Sequence, residues 1–257
     1  MRRFHIIACH VLWREFCYYA ALSENVFTFH FLKNGLHNEP NKLRAAVQAA
    51  IGAAEPTGQD TRQIPLSVLE PHNIREDRAD AILLGYGLCS NGLHGITARS
   101  LPLVAPRAHD CITLLLGSKE RYREYFDGHP GTYWYSPGWI DTGCMPGSAR
   151  FQQLREKFIE KYGEDNADYL MEIEMGWIKK YTRATYVDLG FGKSETYLQY
   201  TRQCATQCGW QCDTQNGDPR LFNKLLSGDW NDADFLVVPP GQTIMPSDDE
   251  TVLKVKP

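Results

Sequence analysis

The chain has 257 residues, 43% hydrophobic and 23% charged, and a net charge of -4. That balance fits a folded globular protein and excludes a disordered one. With no Lys/Arg block it excludes a nucleic-acid-coating surface, and no apolar run reaches the roughly 18 residues that crossing a membrane needs. The start, MRRFHIIACHVLWREFC, superficially resembles a secretory signal. Its apolar stretch is short and broken by His5, His10, Arg14 and Glu15, so a cytoplasmic location is expected.

In chain order, residues 4–8 predict a strand with Cys9 and His10 at its end. A helix follows, with Val11, Leu12, Phe16 and Tyr19 spaced for one face. Residues 26–32 alternate as a second strand. The turn at 35–40 leads to an Ala-rich helix over 42–54, capped by Asn38 or Asn41. Residues 55–78 are polar and Pro-containing and read as a long connection. Strands at 81–84 and 101–105 come next, each followed at once by a Gly or Pro turn carrying Cys.

A helix is expected over 112–116, resuming at 119–126. The Gly-, Pro- and aromatic-rich segment 128–147 reads as a structured loop or short strand and as a lid candidate. Helices are predicted over 149–162, 166–181, 195–209 and 218–226, and strands over 184–189, 234–238 and, at the edge, 251–255. Strands separated by helices imply an α/β fold: a mostly parallel sheet with helices on both faces. The expected organisation is one compact unit over 1–257, built as two Rossmann-like lobes with a boundary near residue 147.

The chemistry concentrates in two turns, Gly85-Tyr86-Gly87-Leu88-Cys89 and Pro106-Arg107-Ala108-His109-Asp110-Cys111. In an open α/β sheet such turns meet at the carboxyl ends of neighbouring strands, where ligands bind. Cys9, at the end of the first strand, belongs to the same edge. Cys9, Cys89 and Cys111, with His109 as fourth ligand or neighbour, form a candidate metal site for zinc or an iron–sulfur cluster. His10 and His37 lie nearby in the pattern. The spacing contains no CxxC knuckle, so buried apolar thiols are the bland alternative.

The same turn admits nucleophilic catalysis. Cys111 lies near the N-terminus of the expected helix, His109 is a base or cationic partner, and Asp110 is a third catalytic group or only a helix cap. Gly85, Tyr86, Gly87 and Gly92 permit close backbone approach to a cofactor or small molecule. Gly190, Gly192 and Lys193 resemble the last half of a phosphate-binding loop, although Val187 stands where its first Gly belongs. The remaining cysteines are Cys17, Cys144, Cys204, Cys208 and Cys212. The last three, spaced by three residues, read as core or surface thiols.

The strings LGYGLCSNGL, PLVAPRAHDCITLLLGS, PGTYWYSPGW and FLVVPPG resemble family 1638 of the prokaryotic domains of unknown function. The likeness runs from IIACHVLWRE to VVPPG, and Cys9, Cys89, His109, Asp110 and Cys111 fit its pattern. The resemblance implies a setting in anaerobic one-carbon metabolism, near corrinoid-dependent methyl transfer. A methyltransferase or corrinoid protein is then the implied partner, beside a small-molecule ligand. The leading expectation is a metal-binding enzyme or accessory factor. The alternatives are a metal-free enzyme using Cys111 with His109, and a non-catalytic module that binds a small molecule or cofactor.

Overall fold

The computed structural model describes residues 1–55, 79–143 and 145–256. The polar connection read at 55–78 lies almost wholly outside the described residues, as does Cys144. The elements, in chain order, are β1 (Arg3–Cys9), α1 (Trp13–Ala21), β2 (Val26–Leu32), α2 (Pro40–Ala54), β3 (Ala81–Gly85), β4 (Leu103–Pro106), α3 (Cys111–Leu116) and α4 (Lys119–Gly128). Then come β5 (Thr132–Tyr135), α5 (Pro137–Thr142), α6 (Ser148–Tyr162), α7 (Glu164–Met175), β6 (Arg183–Asp188), α8 (Ser194–Cys208), β7 (Gln211–Asn216), α9 (Arg220–Ser227), β8 (Phe235–Val238), β9 (Ile244–Pro246) and β10 (Leu253–Val255). The chain divides into two compact units. The first joins Met1–Cys111 to Leu221–Pro257, and the second is Ile112–Arg220.

The first unit is α/β, with a five-stranded sheet in the order β2-β1-β3-β4-β8. The first four strands run parallel, and β8 returns antiparallel to β4. Burial explains the order. Every residue of β3 and β4 is buried, as continuous apolar runs in parallel sheets usually are. β2 lies at the edge, with Thr28, Phe29 and His30 exposed. α2 begins two residues before the expected helix: Pro40 occupies its first position, and neither Asn caps it. Glu39 stands at the cap with no side-chain bond.

The second unit has its own three-stranded parallel sheet, β5-β6-β7. Each unit thus carries its own main sheet, with β9 and β10 as a separate antiparallel pair. α3 and α4 are broken where Gly117 takes φ +77° and Ser118 Oγ accepts from the N–H of Arg121. In the segment 128–147 the short-strand reading holds: it contains β5, followed by α5. Tyr135 of β5 is fully buried in the second core with Tyr186, Ala184 and Trp210. Packing these rings into the core outweighs leaving them free.

β7, a strand absent from the sequence reading, is tied in by polar bonds. The Tyr125 hydroxyl donates to Asp213 Oδ2 at 2.8 Å, and Arg183 lies 3.6 Å from the same oxygen. Burial raises the Asp213 pKa. The bonds from Tyr125 and the Thr214 N–H, and the Arg183 charge, more than reverse this and leave it below its ordinary 3.8. A depressed folded pKa gives stability that is present above 3.8 and lost as pH falls through the lower folded value. Acid titration followed by circular dichroism should show this loss in the wild type. Asp213→Asn should remove that contribution at neutral pH and flatten the profile below pH 4.

Candidate thiol site

The strand order creates the site. From β1 the chain proceeds outward to β2, and from β3 it proceeds to β4 on the other side. The connections leaving β1 and β3 therefore diverge at the carboxyl edge and leave a crevice between them. The parallel register Ala8↔Gly85 sets the ends of β1 and β3 level. Cys9 closes β1, and Tyr86 begins the turn after β3.

Two glycines make this close fit possible. A Cβ on Gly85 would stand 2.4 Å from the Ala8 Cβ and from the Phe16 ring. A Cβ on Gly87 would stand 2.6 Å from the Asp110 backbone N and 2.7 Å from the Ala108 carbonyl oxygen. The second contact matters because the turn after β3 lies directly on the turn after β4. Leu88 N–H donates to the Ala108 carbonyl and Cys89 N–H to the His109 carbonyl, both at 2.8 Å. Cys89 and the turn that carries Cys111 are thus joined through the backbone.

Around these turns three thiols act through space on one buried phenol. Tyr86 is 3% exposed, and its hydroxyl has no hydrogen-bond partner among the described residues. Burial raises its pKa far above the ordinary phenol value, and Cys9, Cys89 and Cys111 add to the rise through space. Cys9 is buried, while Cys89 and Cys111 are half-buried. Burial pushes both the Cys9 and Cys89 thiols up, and Asp110 and Cys9 push Cys89 further. Backbone N–H groups act in the opposite sense: those of Val11 and His10 face the Cys9 sulfur, and that of Gly87 faces the Cys89 sulfur. Such donors favour sulfur that carries negative charge.

The backbone at Cys89 is strained. Cys89, Ser90 and Asn91 have φ of +47°, +56° and +67°, three successive non-glycine residues in the left-handed region. Each costs roughly 1–2 kcal/mol relative to an ordinary conformation, and such outliers gather at functional sites. Gly92 ends the turn against Leu43, whose Cδ2 would lie 2.3 Å from an added Cβ.

The other candidates fall at different places. The His109 ring is exposed, and its carbonyl supplies the contact to Cys89. Asp110 acts electrostatically on both Cys89 and His37. His37 is half-buried; burial lowers its pKa, and Asp110 opposes the shift. The sequence pattern places His37 near the cysteines, although it stands 73 positions from Asp110 in the chain. His10 is exposed, its ring stacked 6.1 Å from that of Phe31. Cys111 is the first residue of a six-residue helix.

Gly190, Gly192 and Lys193 belong to the second unit. There the Asp188 carboxylate accepts from the Gly190 N–H and the Ser194 hydroxyl, each at 2.8 Å, where a phosphate-binding loop would present those donors to its ligand. Cys204 and Cys208 lie on α8, and Cys212 is exposed on β7.

Among the described residues, no three His, Cys, Asp or Glu side chains are already gathered as a metal-binding group. What fits a soft cation is the donor set: three thiols, amides turned toward two of them, and a buried hydroxyl without a partner. Removing that hydroxyl tests its role. Tyr86→Phe should raise the stability of the metal-free protein by about 1 kcal/mol, because a buried orphan group is costly. Thermal unfolding monitored by circular dichroism reads the change.

The family described as "Protein of unknown function (DUF1638)" matches residues 31–226. The chain belongs to that family. Cys89, His109, Asp110 and Cys111 lie within the match, and Cys9 precedes it. No curated protein and no solved structure matches the chain.

Proposed function

We propose that the carboxyl edge of the first sheet binds one zinc or iron centre through the Cys9, Cys89 and Cys111 thiolates, with Tyr86 beside an open position. The observation that carries this reading is that Cys9, Cys89 and Cys111, each at or past the end of a parallel strand, all act electrostatically on the buried Tyr86 phenol, whose hydroxyl has no partner among the described residues. A thiolate-held cation with an open position supplies Lewis-acid or redox chemistry. The amides of His10, Val11 and Gly87 stabilise sulfur in its charged form, Tyr86 donates to a ligand at the open position, and the left-handed turn 89–91 fixes the angle of Cys89. His109 stands at the rim as the candidate fourth ligand.

The strand order β2-β1-β3-β4 also supports reading the first unit as a Rossmann-like lobe, with helices on both faces. Seven described cysteines are free, which favours a reducing, cytoplasmic setting. The role in anaerobic one-carbon metabolism, with a methyltransferase or corrinoid protein as partner, rests on the family resemblance, and the protein acts there as an enzyme or accessory factor.

Elemental analysis of protein purified without oxygen tests the centre. About one zinc or iron per chain is expected, falling several-fold in Cys89→Ser while the fold persists. Wild-type protein that stays metal-free after anaerobic reconstitution, with one thiol alkylated rapidly at neutral pH, overturns the proposal in favour of a Cys111 nucleophile.

A further inference from the structure

We propose that the cavity where β2 begins binds a small organic cation with a primary ammonium head and a short alkyl tail. The cavity measures about 470 Å³ and lies at the carboxyl ends of α1 and α9. That volume is typical of a small-molecule pocket. α1 returns the chain from the end of β1 to the start of β2, so the cavity opens at the amino edge of the first sheet. The thiol turns lie at the other edge.

α1 and α9 pack side by side, with the Tyr19 and Phe222 rings stacked 5.7 Å apart. Both helices therefore direct their carboxyl ends at one space, and each end carries a partial negative charge. Glu24, exposed in the lining, adds a full one. None of the described lining residues is Lys or Arg. Lys224 of α9 is held by Asp234 at 2.7 Å. Arg2 reaches the Gly228 carbonyl just beyond α9, at 3.4 Å, so this helix end already draws a cation.

The donors at the end of α9 are neutral. Asn25 Nδ2 donates to the carbonyls of Leu226 and Ser227 at 2.9 and 3.2 Å, and the Ser23 hydroxyl donates weakly to that of Leu226. A carbonyl oxygen has two lone pairs, so the Ser227 carbonyl keeps one for a ligand N–H. A primary ammonium brings three such donors, and a quaternary ammonium brings none. The apolar lining is Leu22, Leu226 and Tyr19. Leu22 is 70% exposed, and an alkyl tail would cover it.

Hexylammonium titrated into the full chain at constant ionic strength, followed by amide NMR, tests this. Saturable one-to-one binding is expected, with shifts centred on residues 19–25 and 223–227. Glu24→Gln should weaken it about threefold, the size of one exposed charge. Asn223→Lys should abolish it by setting an ammonium inside the cavity, with unchanged circular dichroism. Hexanol and tetramethylammonium should each bind about tenfold more weakly, having lost the charge or the N–H donors. No saturable binding, shifts centred elsewhere, an equal response to hexanol or tetramethylammonium, or wild-type binding by Asn223→Lys overturns the proposal. The outcome is independent of metal content.

Discussion

Arg107→Met should destabilise the first unit by about 3–5 kcal/mol, the cost of breaking a buried charged network, and should lower Tm by roughly 10 °C. Arg107 lies between Pro106 and Ala108 in the turn that carries Cys111, yet it points away from solvent and is 8% exposed. Its Nε donates to the Asp232 carbonyl at 2.7 Å and more weakly to that of Phe235. Its Nη1 donates to the carbonyls of Thr251 and Leu253. One guanidinium thus ties β4 to the segments before β8 and around β10.

The ion pair with Asp232 adds little, because that carboxylate is 93% exposed. The carbonyls decide the magnitude. Methionine fills similar volume and leaves each of them short of a donor. Arg107→Lys should recover only part of the loss, since an ammonium group lacks the planar fork that spans several acceptors. Thermal and urea unfolding measure both variants. A loss below 1 kcal/mol in Arg107→Met would show that the network is not what holds the C-terminal segment.

Gly87→Ala should be nearly as damaging, and for a different reason. Its new Cβ would lie 2.6–2.8 Å from backbone atoms of Ala108, His109 and Asp110. Those atoms cannot swing aside as a side-chain tip can. The two turns must separate, stretching the Leu88–Ala108 and Cys89–His109 hydrogen bonds. Overpacking of this kind costs about 1–3 kcal/mol. It also moves Cys89 away from the turn bearing Cys111, so metal content should fall further than stability alone explains. Gly35→Ala is the control: nothing lies within 4 Å of its added Cβ, and only its φ of +83° resists the change. Equal metal content in Gly87→Ala and wild type would separate the turn contact from the site.

The sequence exposed those parts of the fold that local pattern determines. β1 and β2 follow from short apolar alternation, and β3 and β4 from runs buried on both faces. β7 was missed because QCDTQN holds one weakly apolar residue; its strand character comes from pairing with β6, which acts at long range. The antiparallel direction of β8 is invisible locally, because its apolar run reads the same either way. At the site, Cys9, Cys89 and Cys111 were legible as cysteines at strand ends. The Tyr86 hydroxyl was not, since only packing shows that it lacks a partner. Arg107 sat inside the motif without a role because its acceptors lie 125–146 positions away.

Cobalt(II) titration of the reduced, metal-free protein, followed by absorption spectroscopy, tests the central claim most directly. Cobalt reports thiolate ligation through sulfur-to-metal charge transfer and tetrahedral geometry through strong visible bands. The account predicts saturation at one cobalt per chain with both signatures, and a weaker charge-transfer band in each of Cys9→Ser, Cys89→Ser and Cys111→Ser. Absence of charge transfer in the wild type, or an unchanged band in all three variants, would contradict it.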